Sequence, residues 1–301
     1  MPIYSSISKL RKSFKILLFF IFVFLQNCDS EIEEGVRKSD LKKDIEFITD
    51  YGSIVMRLSD QTPKHRNNFI KLVNKRFYDS LSFHRVIQNF IIQTGDPESK
   101  NPDSEKEIGA SDLPYRIPAE FKSNLFHKRG ALNAAREGDD SNPERASSST
   151  QFTIIQGRIY NDSTLNYQLS RINEWLAYNN IINNPEYKIK FEELQNIIKN
   201  RDTTKRELYE SIKMDFDSLT KVEVEVMDKY TYPKLHREIY KTQGGAAHLD
   251  QNYTVFGEVI KGMDVVDSIA AVSTNKKDKP IKDVKIITAR LIKRKKYEPT
   301  N

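Results

Sequence analysis

At 301 residues, with 38% hydrophobic and 30% charged side chains, the chain can bury a real core, and its composition is not that of a collagen, a coiled coil or a disordered polymer. The formal charge of +6 is weak support for nucleic-acid binding. Lys9, Arg11, Lys12 and Lys15 supply four of those charges, and without residues 1–27 the charge is about +2. The only cysteine is Cys28, which excludes an internal disulfide.

The four cations precede ILLFFIFVFL at 16–25. That run is too short to span a bilayer but suits the apolar region of a secretory signal. Leu25-Gln26-Asn27-Cys28 follows and resembles a bacterial lipobox, in which the cysteine thiol receives a diacylglyceryl group and becomes the mature N-terminus. The resemblance implies a signal peptide over 1–27, lipidation at Cys28 and a lipid-anchored place in the bacterial cell envelope, on the periplasmic face or the cell surface. The alternative is an ordinary cleaved signal with an incidental cysteine. Polar residues 28–43 read as a tether.

Two alternating apolar runs over 44–58 flank Asp50-Tyr51-Gly52 and predict a pair of strands joined by a turn. Thr62-Pro63 predicts a helix start, with Thr62 as N-cap and Phe69, Leu72 and Val73 at helical spacing. FHRVIQNFIIQTGD (83–96) is strand-like. Prolines and glycine over 97–118 mark a long loop, and strands are expected again near 130–132, over 151–157, 253–260 and 284–292. Met263–Ile269 reads as a short helix. Many short strands and few helices predict a closed barrel or sandwich. Between Gly157 and Gly244 the period changes: Leu169, Ile172, Leu176 and Phe191, Leu194, Ile198 keep helical spacing, as do Tyr209, Ile212, Phe216 and Leu219. Two to four amphipathic helices are expected over 158–243. Residues 293–301 form a basic tail.

The residues that suggest chemistry flank this helical segment. NFIKLVNKRFYDSLSFHRVIQNFIIQTGDP (68–97) is followed in order by IPAEF (117–121), RGALNAAR (129–136), STQFTIIQG (149–157) and GGAAHLDQNYTVFGEVIKGMDVVDSI (244–269). Together they resemble the cyclophilin family of peptidyl-prolyl cis/trans isomerases, and bacterial envelope members most. The resemblance implies a mainly β, closed eight-stranded antiparallel barrel with two flanking helices over 44–157 and 244–292, interrupted by a helical insertion over 158–243. It implies isomerisation of X–Pro bonds in exported proline-containing polypeptides, assisting their folding, with no cofactor and no metal.

Position by position, the resemblance puts the catalytic arginine at Arg85 and the carbonyl-binding glutamine at Gln93. Phe90, Ile91, Leu249 and Tyr253 would hold the proline ring, and the main chain at Ala135 and Arg136 would pair with the peptide. Thr153 stands where the family has an aromatic wall, and His248 where eukaryotic members have the tryptophan used in cyclosporin binding. Parity alone does not bring Arg85 and Gln93 together: a two-residue turn at Gln88-Asn89 would put Arg85 opposite Ile92, so their convergence needs a bulge or a wider turn. No H-E-x-x-H or Cys/His spacing supports a metal site. His84 reads as structural. A second reading is a non-catalytic proline-peptide binding or chaperone module of the envelope, with the helical segment carrying the function.

Overall fold

The alternation around Asp50-Tyr51-Gly52 is a hairpin, and the sheet is built outward from it. The structure, a computed structural model, describes residues 31–101 and 108–297; the apolar run, Cys28 and residues 298–301 lie outside them. The strands are β1 (Glu31–Glu33), β2 (Val36–Arg37), β3 (Lys43–Thr49), β4 (Gly52–Leu58), β5 (Arg85–Ile87), β6 (Ile91–Thr94), β7 (Arg116–Ile117), β8 (Ala131–Ala134), β9 (Ser147–Ser148), β10 (Phe152–Ile155), β11 (Val255–Lys261) and β12 (Ile286–Lys293). The α-helices are α1 (Pro63–Asn74), α2 (Asp162–Ile182), α3 (Lys188–Asn200), α4 (Arg206–Val226), α5 (Lys234–Thr242) and α6 (Met263–Ala270).

Eight strands form one antiparallel sheet in the order β12-β3-β4-β11-β8-β10-β6-β5. Strand alternation sends Phe47, Ile92, Leu132, Ile154 and Phe256 to the concave face, where α1 adds Phe69 and α6 adds Val266 and Ile269. The Phe69 ring lies 4.8 Å from Tyr78 and 5.0 Å from Phe152. Each such ring contributes roughly 1.5–3 kcal/mol by leaving water. The edge strands β5 and β12 are not neighbours in the ladder. The segments leading into them are linked instead: Ser80 N donates to Ile286 O (2.7 Å), Ile286 N to Leu81 O (2.8 Å) and Phe83 N to Val284 O (2.9 Å). The result is a curled, mainly β half-barrel stitched at one end.

Three expectations change. Residues 31–42, read as a tether, fold back on α1: Val36 is completely buried, Asn74 Nδ2 donates to Gly35 O (2.9 Å), and Lys75 pairs with Glu34 (2.7 Å). Leu41 packs on the same core, and the buried Asp40 carboxylate accepts from Asn74 Nδ2 (3.2 Å). Thr62 starts α1, but its hydroxyl makes no cap bond; the Glu120 carboxylate accepts from the main-chain N–H of Lys64 (3.2 Å) and His65 (3.0 Å) instead. The basic tail is pinned at its start. Asp44, fully buried, accepts a bidentate pair from Arg57 (2.8 Å each) and faces Arg294 Nε at 3.4 Å.

Four helices, α2 to α5, lie between β10 and β11, where helical spacing predicts two to four. Near the sheet, Leu165, Ile172, Tyr232 and Tyr240 pack with Phe126, Tyr160 and Ala247. Farther out, Ile181, Phe191, Leu194, Ile212 and Phe216 make a separate cluster. The two ends of the segment touch: Arg158 N donates to Gly245 O and Gly245 N to Arg158 O, both at 3.0 Å. A Cβ on Gly157 would sit 2.4 Å from Gly245 Cα, so this approach requires glycine. Among the described residues no helix is long and apolar enough to cross a membrane.

Candidate active site

The hairpin β5–β6 sets the site. Its loop is three residues, Gln88 to Phe90, with Asn89 in the left-handed region (φ 60°) and Phe90 N donating to Ile87 O at 3.1 Å. An odd loop shifts parity, so the partners are Ile87↔Ile91, Val86↔Ile92 and Arg85↔Gln93. Here the wider turn brings Arg85 beside Gln93. The register continues across the sheet as Gln93↔Thr153, Thr153↔Asn133 and Asn133↔Val255. Arg85, Gln93, Thr153 and Asn133 therefore form one row on the convex face, opposite the core row Val86, Ile92, Ile154 and Leu132.

Ile91, Leu249 and Val255 are buried in a separate apolar cluster on that convex face, with Phe90 and Tyr253 half-buried against it. The four side chains expected to grip a proline ring thus meet at one place. His248 lies with its ring 5.1 Å from Phe90, and burial lowers its pKa to about 4, which favours the neutral ring there.

The Arg85 side chain is 43% exposed. Its Nη1 lies 3.5 Å from Gln93 Oε1 and its Nε 3.6 Å from Asp278 Oδ2, both loose contacts, so the guanidinium keeps free donors. Gln93 Nε2 donates to Gln151 Oε1 (3.1 Å), and Gln151 is held by the carbonyls of Gly109 (3.0 Å) and Ser111 (2.8 Å). Gln151 and Asp278 went unread in the sequence. Gln151 lies within the STQFT block and could have been taken from it; Asp278 sits in a loop with no motif.

Ala135 does not offer its main chain to a peptide. Its N–H donates to Gln151 O (3.0 Å) and its carbonyl accepts from Ser148 N (2.8 Å). The main-chain N–H and C=O of Arg136 have no partner among the described residues, so that position alone is open for pairing. The Arg136 side chain turns inward: Nε donates to Asn252 O (2.7 Å), and the guanidinium stacks 4.6 Å from the centre of the Tyr253 ring. A cleft of about 630 Å³ runs beside Gln93, Gln151, Ala135 and Arg136 to the loop at 109–116.

Thr153 is buried, and its hydroxyl accepts from Asn133 Nδ2 (3.2 Å). Behind it a polar chain continues without a gap. Asn133 Oδ1 lies 3.0 Å from His127 Nε2, His127 Nδ1 lies 2.7 Å from Asp250 Oδ1, and Tyr240 OH donates to Asp250 Oδ2 (2.8 Å). Tyr240 belongs to α5, so the helical segment reaches the site row through buried hydrogen bonds. His84, next to Arg85, is buried with neither ring nitrogen partnered among the described residues, and burial lowers its pKa to about 4. Among the described residues no group of acidic, histidine or cysteine side chains could hold a metal.

The model of the cyclophilin type peptidyl-prolyl cis-trans isomerase family matches residues 44–172 and 237–291. A Staphylococcus haemolyticus protein provisionally named a peptidyl-prolyl cis-trans isomerase is 24% identical over 257 residues, 85% of this chain and 93% of that protein. A Streptococcus pyogenes protein provisionally named a bifunctional phosphatase and peptidyl-prolyl cis-trans isomerase is 27% identical over 80% of this chain, which spans only 37% of it. Among solved structures, a Cryptosporidium parvum cyclophilin type peptidyl-prolyl cis-trans isomerase aligns over 84% of this chain and 99% of its own, at 17% identity and a TM-score of 0.47. The matched family segments carry the site row and the apolar cluster beside it, and the chain belongs to the cyclophilin type peptidyl-prolyl cis-trans isomerase family.

Proposed function

We propose that this protein isomerises X–Pro bonds in exported polypeptides while lipid-anchored through Cys28 in the bacterial cell envelope, and that its helices α2 to α5 are an insertion into a cyclophilin barrel. The observation that carries the activity is the half-exposed Arg85 guanidinium in register with Gln93, beside the apolar cluster of Phe90, Ile91, Leu249 and Tyr253.

The reaction needs little else. Resonance gives the C–N bond its double-bond character and a barrier of roughly 18–20 kcal/mol. A guanidinium N–H that donates to the imide nitrogen draws its lone pair out of resonance, and this donation strengthens as the bond twists. Gln93 accompanies it as an amide donor for the substrate carbonyl, and the apolar cluster holds the ring. Removing the donor is expected to cost about 10²- to 10³-fold in kcat, as loss of an oxyanion-hole donor does. NMR exchange on a short proline peptide, comparing the wild type with Arg85→Ala, tests this. Equal rates in the two proteins refute it.

The second reading, a proline-peptide binding or chaperone module without catalysis, is favoured by Thr153 in place of a ring, which reduces contact area with proline. It predicts peptide binding with no exchange in either protein. A mass spectrum of the mature N-terminus tests the anchor, through the acyl mass on Cys28.

A further inference from the structure

We infer that the cleft between α2, α4 and the Arg136–Tyr253 pair is a second subsite that takes substrate residues flanking the proline and prefers basic side chains; this rests on the isomerase reading. The cleft encloses about 850 Å³. It begins at Arg136 and Tyr253, which belong to the proposed proline site, and it is walled by Trp175 and Tyr178 of α2 and by Asp217 and Val224 of α4. A peptide whose proline sits against Tyr253 therefore enters this space within a few residues.

The wall is fixed relative to the site. Asp139 binds both Arg136 (2.6 Å) and Arg145 (2.8 Å), and Arg145 Nη2 donates to Trp175 O (2.8 Å). Asn179 of α2 donates to Asp139 Oδ2 (3.0 Å) and to Pro143 O (2.9 Å). Tyr178 OH donates to Asp140. The helices thus grip the loop that follows the open Arg136 main chain, and the cleft needs little ordering when a peptide arrives.

Its charge differs from that of the chain. The lining holds five acids (Asp139, Asp140, Glu174, Asp217, Glu225) against three bases (Arg136, Lys213, Lys221), on a protein of formal charge +6. Asp139 is satisfied by its two arginines and Asp140 faces Lys213 at 3.4 Å. Glu174 and Asp217 are exposed and have no ion-pair partner among the described residues. The Arg171 guanidinium lies 5.1 Å from the Trp175 ring centre and takes up one part of that wall. Excess carboxylate beside an aromatic wall is complementary to lysine or arginine.

The test uses the mature chain and proline peptides extended by three residues, on one side and then on the other, carrying either lysine or glutamate. The readout is the ratio of kcat/KM for the lysine peptide to that for the glutamate peptide, so any general loss of activity cancels. For one direction of extension the wild type should favour lysine about fivefold, from one or two partly screened ion pairs. Glu174→Lys with Asp217→Lys should bring the ratio to one or below, Lys221→Glu should raise it, and salt should compress it. A ratio of one for both extensions in the wild type, or a ratio untouched by these substitutions, overturns the inference. So does a wild-type dimer that Asp217→Lys dissociates in sedimentation, because a second copy would then fill the cleft. Turnover of the unextended peptide reports separately on the isomerase reading.

Discussion

Replacing Tyr240 by phenylalanine removes one oxygen and tests the buried polar chain behind the site. Asp250 is 2% exposed, and Tyr240 OH is the only donor to its Oδ2 among the described residues; Oδ1 keeps the main-chain N–H of His127 (3.0 Å) and its Nδ1 (2.7 Å). The ring of Tyr240 is fully buried, so phenylalanine fills the same space and makes no cavity. What remains is the loss of a hydrogen bond to a buried carboxylate, about 2 kcal/mol. Urea unfolding should show a midpoint lower by about 0.7 M at an m of about 3 kcal/mol/M, with m unchanged. Tyr232→Phe is an internal comparison, because Tyr232 OH donates to the neutral carbonyl of Ala247 at 2.9 Å and should cost only about 1 kcal/mol. If Tyr240→Phe shifts the midpoint no more than Tyr232→Phe does, the charged chain from α5 to Asn133 is not what stabilises this junction.

Acid should weaken the fold through two histidines. Burial holds His84 and His248 at about 4, below the usual 6.5, so the folded state favours their neutral forms. Their contribution is complete above pH 6.5 and is lost as pH falls toward 4, by about 3 kcal/mol for His84 and less for the partly open His248. Urea midpoints between pH 7 and 4.5 should fall less steeply in His248→Phe than in the wild type; identical slopes would contradict this. Asp278→Ala should lower kcat by no more than about fivefold, because the pair with Arg85 is long and half exposed; a hundredfold loss measured by NMR exchange would make Asp278 part of the chemistry. Cyclosporin should inhibit weakly, since His248 offers a smaller ring than tryptophan; sub-micromolar inhibition in a titration would contradict that.

How much could be read in advance follows from what sets each feature. The strands of the hairpin at 44–58 were legible because alternation and a Gly turn are local. The side chains around the proposed proline site were named through the resemblance, while the meeting of Arg85 with Gln93 rested on a single loop residue: counting Phe90 into the turn decides whether Arg85 faces Gln93 or Ile92. Composition misled at residues 31–42, where Val36 and Leu41 pack on the core and the buried Asp40 bonds Asn74 of α1. It misled at Thr62 too, because the carboxylate that caps α1 comes from Glu120, far along the chain. The chain from Tyr240 to Thr153 joins residues from α5, two loops and two strands, and no spacing in the sequence announces it. Ala135 was named for a main chain that the fold itself consumes.

The meeting of Arg158 with Gly245 closes the base of the helical segment on one two-way rung. Because departure and return occur on a single rung, helices there could lengthen, shrink or be exchanged while β10 and β11 keep their partners. Selection could in this way revise the outer helices α3 and α4, whereas α5 stays tied to the site row through Tyr240 and Asp250. Gly157 lets the two chain ends meet this closely.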